Sequence, residues 1–79
     1  MKVDELRSML RNVGVNPAKY DLDGGIPLAS EGIVLGREGA KWVVKHFERG
    51  SWYTFQAYED EAAACDKVAS LLKDPFYRS

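Results

Sequence analysis

Two dipeptides ending in glycine, Glu38-Gly39 and Arg49-Gly50, punctuate a stretch rich in Val, Ile, Trp, Tyr, Phe and Thr. Glycine at the second central position of a two-residue hairpin accepts positive φ, so each dipeptide predicts a tight reversal between antiparallel strands. The strands this implies are Gly32–Arg37, Ala40–Glu48 and Ser51–Tyr58. With Glu38-Gly39 central, Leu35 opposes Trp42 and Ile33 opposes Val44. With Arg49-Gly50 central, Glu48 opposes Ser51, His46 opposes Tyr53, Val44 opposes Phe55 and Trp42 opposes Ala57. The two turns then agree in collecting Ile33, Leu35, Trp42, Val44, His46, Tyr53, Phe55 and Ala57 on one face, the predicted core face. On that reading Phe55→Ala is a core truncation costing about 3–5 kcal/mol. The other face holds Val34, Lys41, Val43, Lys45, Phe47, Trp52, Thr54 and Gln56, a mixture suited to a sheet side that meets water.

A helical period flanks this sheet on both sides. Val3, Leu6, Leu10 and Val13 recur at steps of three and four, predicting an amphipathic helix over 2–13 that ends before Gly14 and Asn16-Pro17. Ala62, Cys65, Val68, Ala69 and Leu72 predict a second helix over 60–73, with Asp60 as N-cap and Asp74-Pro75 as its stop. Between Ala18 and Ser30 turn formers dominate, and the stretch reads as a loop anchored by Tyr20, Leu22 and Ile26. The expected fold is α+β: helix, three-stranded antiparallel sheet, helix, with both helices on one face of the sheet. The tail Phe76-Tyr77-Arg78-Ser79 has aromatic surface enough to fold back or to join an interface.

At 79 residues the chain accommodates one domain with one core. Its 11 basic and 12 acidic side chains leave a net charge of −1, which argues against a generic nucleic-acid coat or a polybasic membrane anchor. The charged N-terminus has no secretory pattern and no apolar run is long enough for a membrane span, so a cytoplasmic domain is expected. One cysteine, Cys65, and one histidine, His46, offer no internal disulfide and no Cys/His cluster for structural zinc.

Catalysis needs a nucleophile, base or metal held close together. His46 lies between Val44 and Glu48 on the predicted core face and reads as a hydrogen-bonded histidine at the core edge. Cys65 reads as an inert buried thiol. The carboxylates are scattered over helix ends and loops, and the glycines form no phosphate-binding motif. No enzymatic activity and no cofactor are expected. The double-stranded-RNA-binding domain shares the helix–three strands–helix order, but it places lysines where this chain has Glu59-Asp60-Glu61, which would repel phosphates.

The stretch from Trp42 to Gly50 (WVVKHFERG), followed by Phe55 to Cys65 (FQAYEDEAAAC), resembles small bacterial immunity proteins of polymorphic and contact-dependent growth-inhibition toxin systems. The resemblance covers the C-terminal half of the chain. It implies a non-enzymatic inhibitor that binds a cognate toxin domain, such as a nuclease, and blocks its active site or substrate access.

Residues suited to such binding are few. Phe47 and Trp52 face each other beside the second turn, where they staple the hairpin and offer an aromatic anchor next to Arg49. Glu48 and Arg49 are charges that the turn itself does not require. Asp21, Asp23 and Glu31, with Glu59, Asp60 and Glu61, form acidic surface that would complement a basic cleft, although first-turn carboxylates also cap helices in the ordinary way. The alternatives are a small nucleic-acid-binding domain and a self-assembling adaptor. A monomer or weak dimer is expected.

Overall fold

The computed structural model describes residues 1–29 and 31–73. Helix α1 spans Val3–Asn12, with Asp4 and Glu5 in its first turn and Arg11 in its last, matching the helix dipole. Leu6 and Leu10 point inward and are buried, whereas Val13, predicted on the same stripe, is 46% exposed. The helix has already closed there: the Gly14 amide donates to the Arg11 carbonyl and the Val15 amide to the Leu10 carbonyl. This paired closure turns Val15 into the core in place of Val13.

The chain next makes a 3₁₀ turn over Pro17–Lys19, begun by the Asn16 side chain accepting from the Ala18 amide at 3.0 Å. That turn delivers Tyr20 and Asp21 alongside the sheet as a short strand, β1. Here the expected architecture is corrected. β1 pairs in parallel with β2 (Glu31–Glu38), Tyr20 against Ile33 and Asp21 against Val34. With β3 (Lys41–Glu48) and β4 (Ser51–Tyr58) the sheet is four-stranded and mixed, in the order β1-β2-β3-β4, not three-stranded and antiparallel. Of the three predicted loop anchors Leu22 is buried and Tyr20 packs against the core, but Ile26 is 62% exposed.

The antiparallel part differs from the expected register in two places. At the first turn Glu38 pairs with Lys41, so Gly39 and Ala40 are central. Gly39 has φ 64° and Ala40 does not share a positive φ, the pattern of a type II′ turn with glycine first. The predicted frame would have forced Glu38 into the left-handed region as well, so the observed one is less strained. The shift is by two residues, placing Leu35 opposite Val44 and Ile33 opposite His46 without exchanging faces.

At the second turn the predicted pairs hold from Glu48–Ser51 to Lys45–Thr54, and then a bulge intervenes, with Val44 opposite Gln56 and Trp42 opposite Tyr58. Phe55 is the extra residue. Beyond it the faces exchange: Ala57 lies opposite Val43, while Tyr58 takes the helix-facing side and packs against the core with Trp42. Ala57 thereby leaves the predicted core face, and Phe55 at the bulge is 44% exposed; Tyr53 keeps its predicted place opposite His46 but is 54% exposed, so none of the three belongs to the core. The other sheet face is not uniformly wet either, since Val34 and Val43 on it are buried.

Helix α2 (Glu61–Leu71) lies across β2, β3 and β4, and α1 packs beside it. Ala64, Cys65, Val68 and Leu72 meet Ile33, Leu35 and Val44 from the sheet and Leu6 and Leu10 from α1 in a single cluster. The predicted tail contacts and the Asp74-Pro75 stop lie outside the described residues. Cys65 is fully buried, and desolvation pushes its thiol pKa up, with Glu61 adding to the rise. A thiol-specific reagent at neutral pH should therefore leave Cys65 unmodified in the folded protein and label it fully once urea unfolds the chain. Equal labelling rates in both states would contradict its burial.

Candidate partner-binding site

β4 is an edge strand: among the described residues nothing pairs with its outer side. Its sequence, Ser-Trp-Tyr-Thr-Phe-Gln-Ala-Tyr, has no charge, no proline and no glycine. Charges and prolines are the usual devices that keep edge strands from pairing with another chain, and here only the bulge at Phe55 interrupts the edge. Trp52, Tyr53 and Phe55 are 45%, 54% and 44% exposed. Because residues alternate sides, Trp52 stands on the open face of the sheet and Tyr53 on the helix side.

The hairpin tip carries the cationic end of this surface. Arg49 has φ 49° and Gly50 has φ 84°, as a two-residue turn with both central residues left-handed requires. An arginine there costs stability that asparagine or glycine would largely avoid, so Arg49 holds its exposed position at the expense of local strain. Phe47 and Trp52 sit directly across from each other with ring centroids 4.8 Å apart and planes tilted by 56°. Lys45 lies 5.7 Å from the Trp52 ring and 2.6 Å from Glu38, so it bridges the aromatic pair to the first turn. Lys45 and Trp52 also line a cleft of about 220 Å³ with Gly24, Val34, Gly36, Arg37 and Glu38. The arrangement is an indole held by a neighbouring ring and a cation, beside unpaired backbone and an arginine.

The acidic candidates are distributed differently. Asp21 turns its carboxylate onto the backbone, accepting from the Asp23 amide at 2.8 Å and the Gly25 amide at 2.9 Å. Asp23 is exposed and pairs with Arg7 of α1 at 3.1 Å, which raises the Arg7 pKa. Asp60 caps α2 by accepting from the Ala62 amide. Glu61 accepts from the Val3 amide at 2.9 Å, tying the start of α1 to the start of α2. Glu59 is exposed. These carboxylates therefore form no single patch with Phe47, Arg49 and Trp52, and four of them have intramolecular partners.

Glu48 is brought somewhere the sequence reading did not anticipate. It lies directly opposite Glu31, the first residue of β2, with His46 two residues before it on the same face. Ligand atoms of Glu31, His46 and Glu48 all lie within 4.8 Å of one another. The two-residue shift at the first turn decides only which of His46 and Glu48 stands opposite Glu31, because the register drawn from Glu38-Gly39 puts Glu31 opposite His46 with Glu48 its diagonal neighbour on the same face.

No helix among the described residues is long and apolar enough to cross a membrane. Comparison with protein-family models, curated proteins and solved structures finds no match, so the functional reading rests on the chain's own residues.

Proposed function

We propose that this domain is a non-enzymatic binding protein of the bacterial cytoplasm that neutralises a cognate toxin domain by gripping it along β4 and the adjoining hairpin tip. The observation that carries the reading is the β4 edge, uncharged and proline-free, with Trp52, Tyr53 and Phe55 exposed along it. An exposed strand edge supplies backbone donors and acceptors to an incoming strand, and alternate side chains supply selectivity. Tryptophan, tyrosine and arginine are the residue types that dominate interface energies. The choice of a toxin as partner rests on the resemblance of Trp42–Gly50 and Phe55–Cys65 to immunity proteins.

The test is co-purification with the product of the neighbouring gene, expected to be a larger toxin-bearing chain, followed by titration of wild type and variants. Trp52→Ala should weaken binding by about tenfold or more and Arg49→Ala should add to that loss, with the circular-dichroism melt little changed. Unaltered affinity in the double variant would remove β4 from the interface. The same edge favours self-pairing as a second reading. Sedimentation that shows a concentration-dependent dimer, lost in Trp52→Ala, would assign the surface to self-assembly instead.

A further inference from the structure

We infer that Glu31, His46 and Glu48 form a binding site for one divalent transition-metal ion. Two carboxylates placed directly opposite each other on neighbouring antiparallel strands repel, and a positive charge between them relieves that repulsion. Glu48 has no hydrogen bond or ion pair among the described residues. Lys67 of α2 lies over the Phe55 ring at 5.8 Å and pairs with neither glutamate.

The imidazole provides an independent indication. His46 Nε2 is buried and has no hydrogen-bond partner; it lies 3.4 Å from a Glu31 carboxylate oxygen but makes no hydrogen bond to it. A buried polar atom left unsatisfied is costly and calls for an explanation. The ring is held by its surroundings, with Tyr53 and Phe55 centroids 6.1 and 6.0 Å away. An ion bound at Nε2 would satisfy that atom and neutralise both carboxylates at once.

The donor set also selects the class of ion. One imidazole nitrogen with two carboxylate oxygens suits Zn²⁺ and its first-row neighbours, whereas Ca²⁺ and Mg²⁺ prefer all-oxygen shells. All three ligands stand on two adjacent strands, Glu31 on β2 and His46 and Glu48 on β3, and the flexible glutamate side chains can close on an ion at about 2.0–2.2 Å. Three protein ligands leave a fourth position for water. The ion clamps the start of β2 to the end of β3, at the hairpin that carries Arg49.

The experiment is titration of tag-free, chelator-treated protein with Zn²⁺ by calorimetry, with Co²⁺ absorption as a spectroscopic check. Wild type should bind one Zn²⁺ per chain, and Co²⁺ should develop visible ligand-field bands. Glu31→Gln, Glu48→Gln and His46→Gln should each weaken Zn²⁺ binding by about tenfold or more, while Glu38→Gln, outside the cluster, should bind as wild type does. The glutamate variants keep the test decisive if His46→Gln fails to fold. Absence of saturable binding up to about 1 mM Zn²⁺ would overturn the site, as would unchanged affinity in all three ligand variants.

Discussion

Replacing Gly32 with alanine is expected to destabilise the fold by about 3 kcal/mol, the upper end of the usual cost of overpacking. A Cβ built at this buried position would run into the Lys19 carbonyl oxygen, lie 2.8 Å from the Lys19 carbonyl carbon and 3.0 Å from Pro27 Cβ. The obstacle is backbone, so no rotamer change relieves it. Lys19 ends the 3₁₀ turn that feeds β1, and β1 pairs with β2 immediately after Gly32, at Ile33. The methyl group must therefore push β1 away from β2 or shift the start of β2 itself. A urea melt should show the lowered midpoint, and amide exchange should show the greatest loss of protection at Tyr20 to Leu22. Gly36→Ala is the informative comparison, because its Cβ would meet only Gly24 Cα at 3.4 Å and the strain should be much smaller. Equal melts for wild type and Gly32→Ala would mean that the 3₁₀ turn does not pack on β2 as described.

The parts of the fold legible from residues alone were those set by local rules. Leu6, Leu10, Cys65, Val68 and Leu72 are buried as their helical spacing requires. The antiparallel strands and the Phe47–Trp52 pairing follow from Arg49-Gly50, whose frame is observed. β1 was not legible. Two residues have no periodicity, and Tyr20-Asp21 become a strand only because Gly32 lets the preceding turn approach β2. The bulge at Phe55 was equally hidden, since Thr54-Phe55-Gln56 alternates as a regular strand does. The Glu31–His46–Glu48 grouping was hidden because the expected strand began at Gly32, one residue short of Glu31, where β2 starts. The frame of the first turn had a signal of its own, since glycine as the first central residue avoids left-handed strain at Glu38.

That hidden bulge reverses an expected order of core energies, and Leu35→Ala set beside Phe55→Ala measures the reversal. Leu35 is fully buried on the helix-facing side of β2, opposite Val44, and belongs to the cluster that contains Leu6, Cys65 and Val68. Truncation leaves a cavity under both helices, with an expected cost of about 3–5 kcal/mol. Small domains bury a smaller share of their surface and are marginal within the ordinary range of about 5–15 kcal/mol, so a loss of that size should leave a substantial unfolded population. Phe55 stands at the bulge, 44% exposed, with the His46 ring centroid 6.0 Å and the Lys67 Nζ 5.8 Å from its own ring centroid. Its loss forfeits partial burial and a ring contact, about 1 kcal/mol. In the uninterrupted register Phe55 would face Val44 across the strands and its truncation would rival that of Leu35. Chemical denaturation of the two variants at one temperature decides between the arrangements: a midpoint far lower for Leu35→Ala places the bulge where the pairing of Val44 with Gln56 puts it. Equal losses would mean that Phe55 is inside the core, that β4 runs without a bulge, and that the aromatic edge offered to a partner is Trp52 and Tyr53 alone.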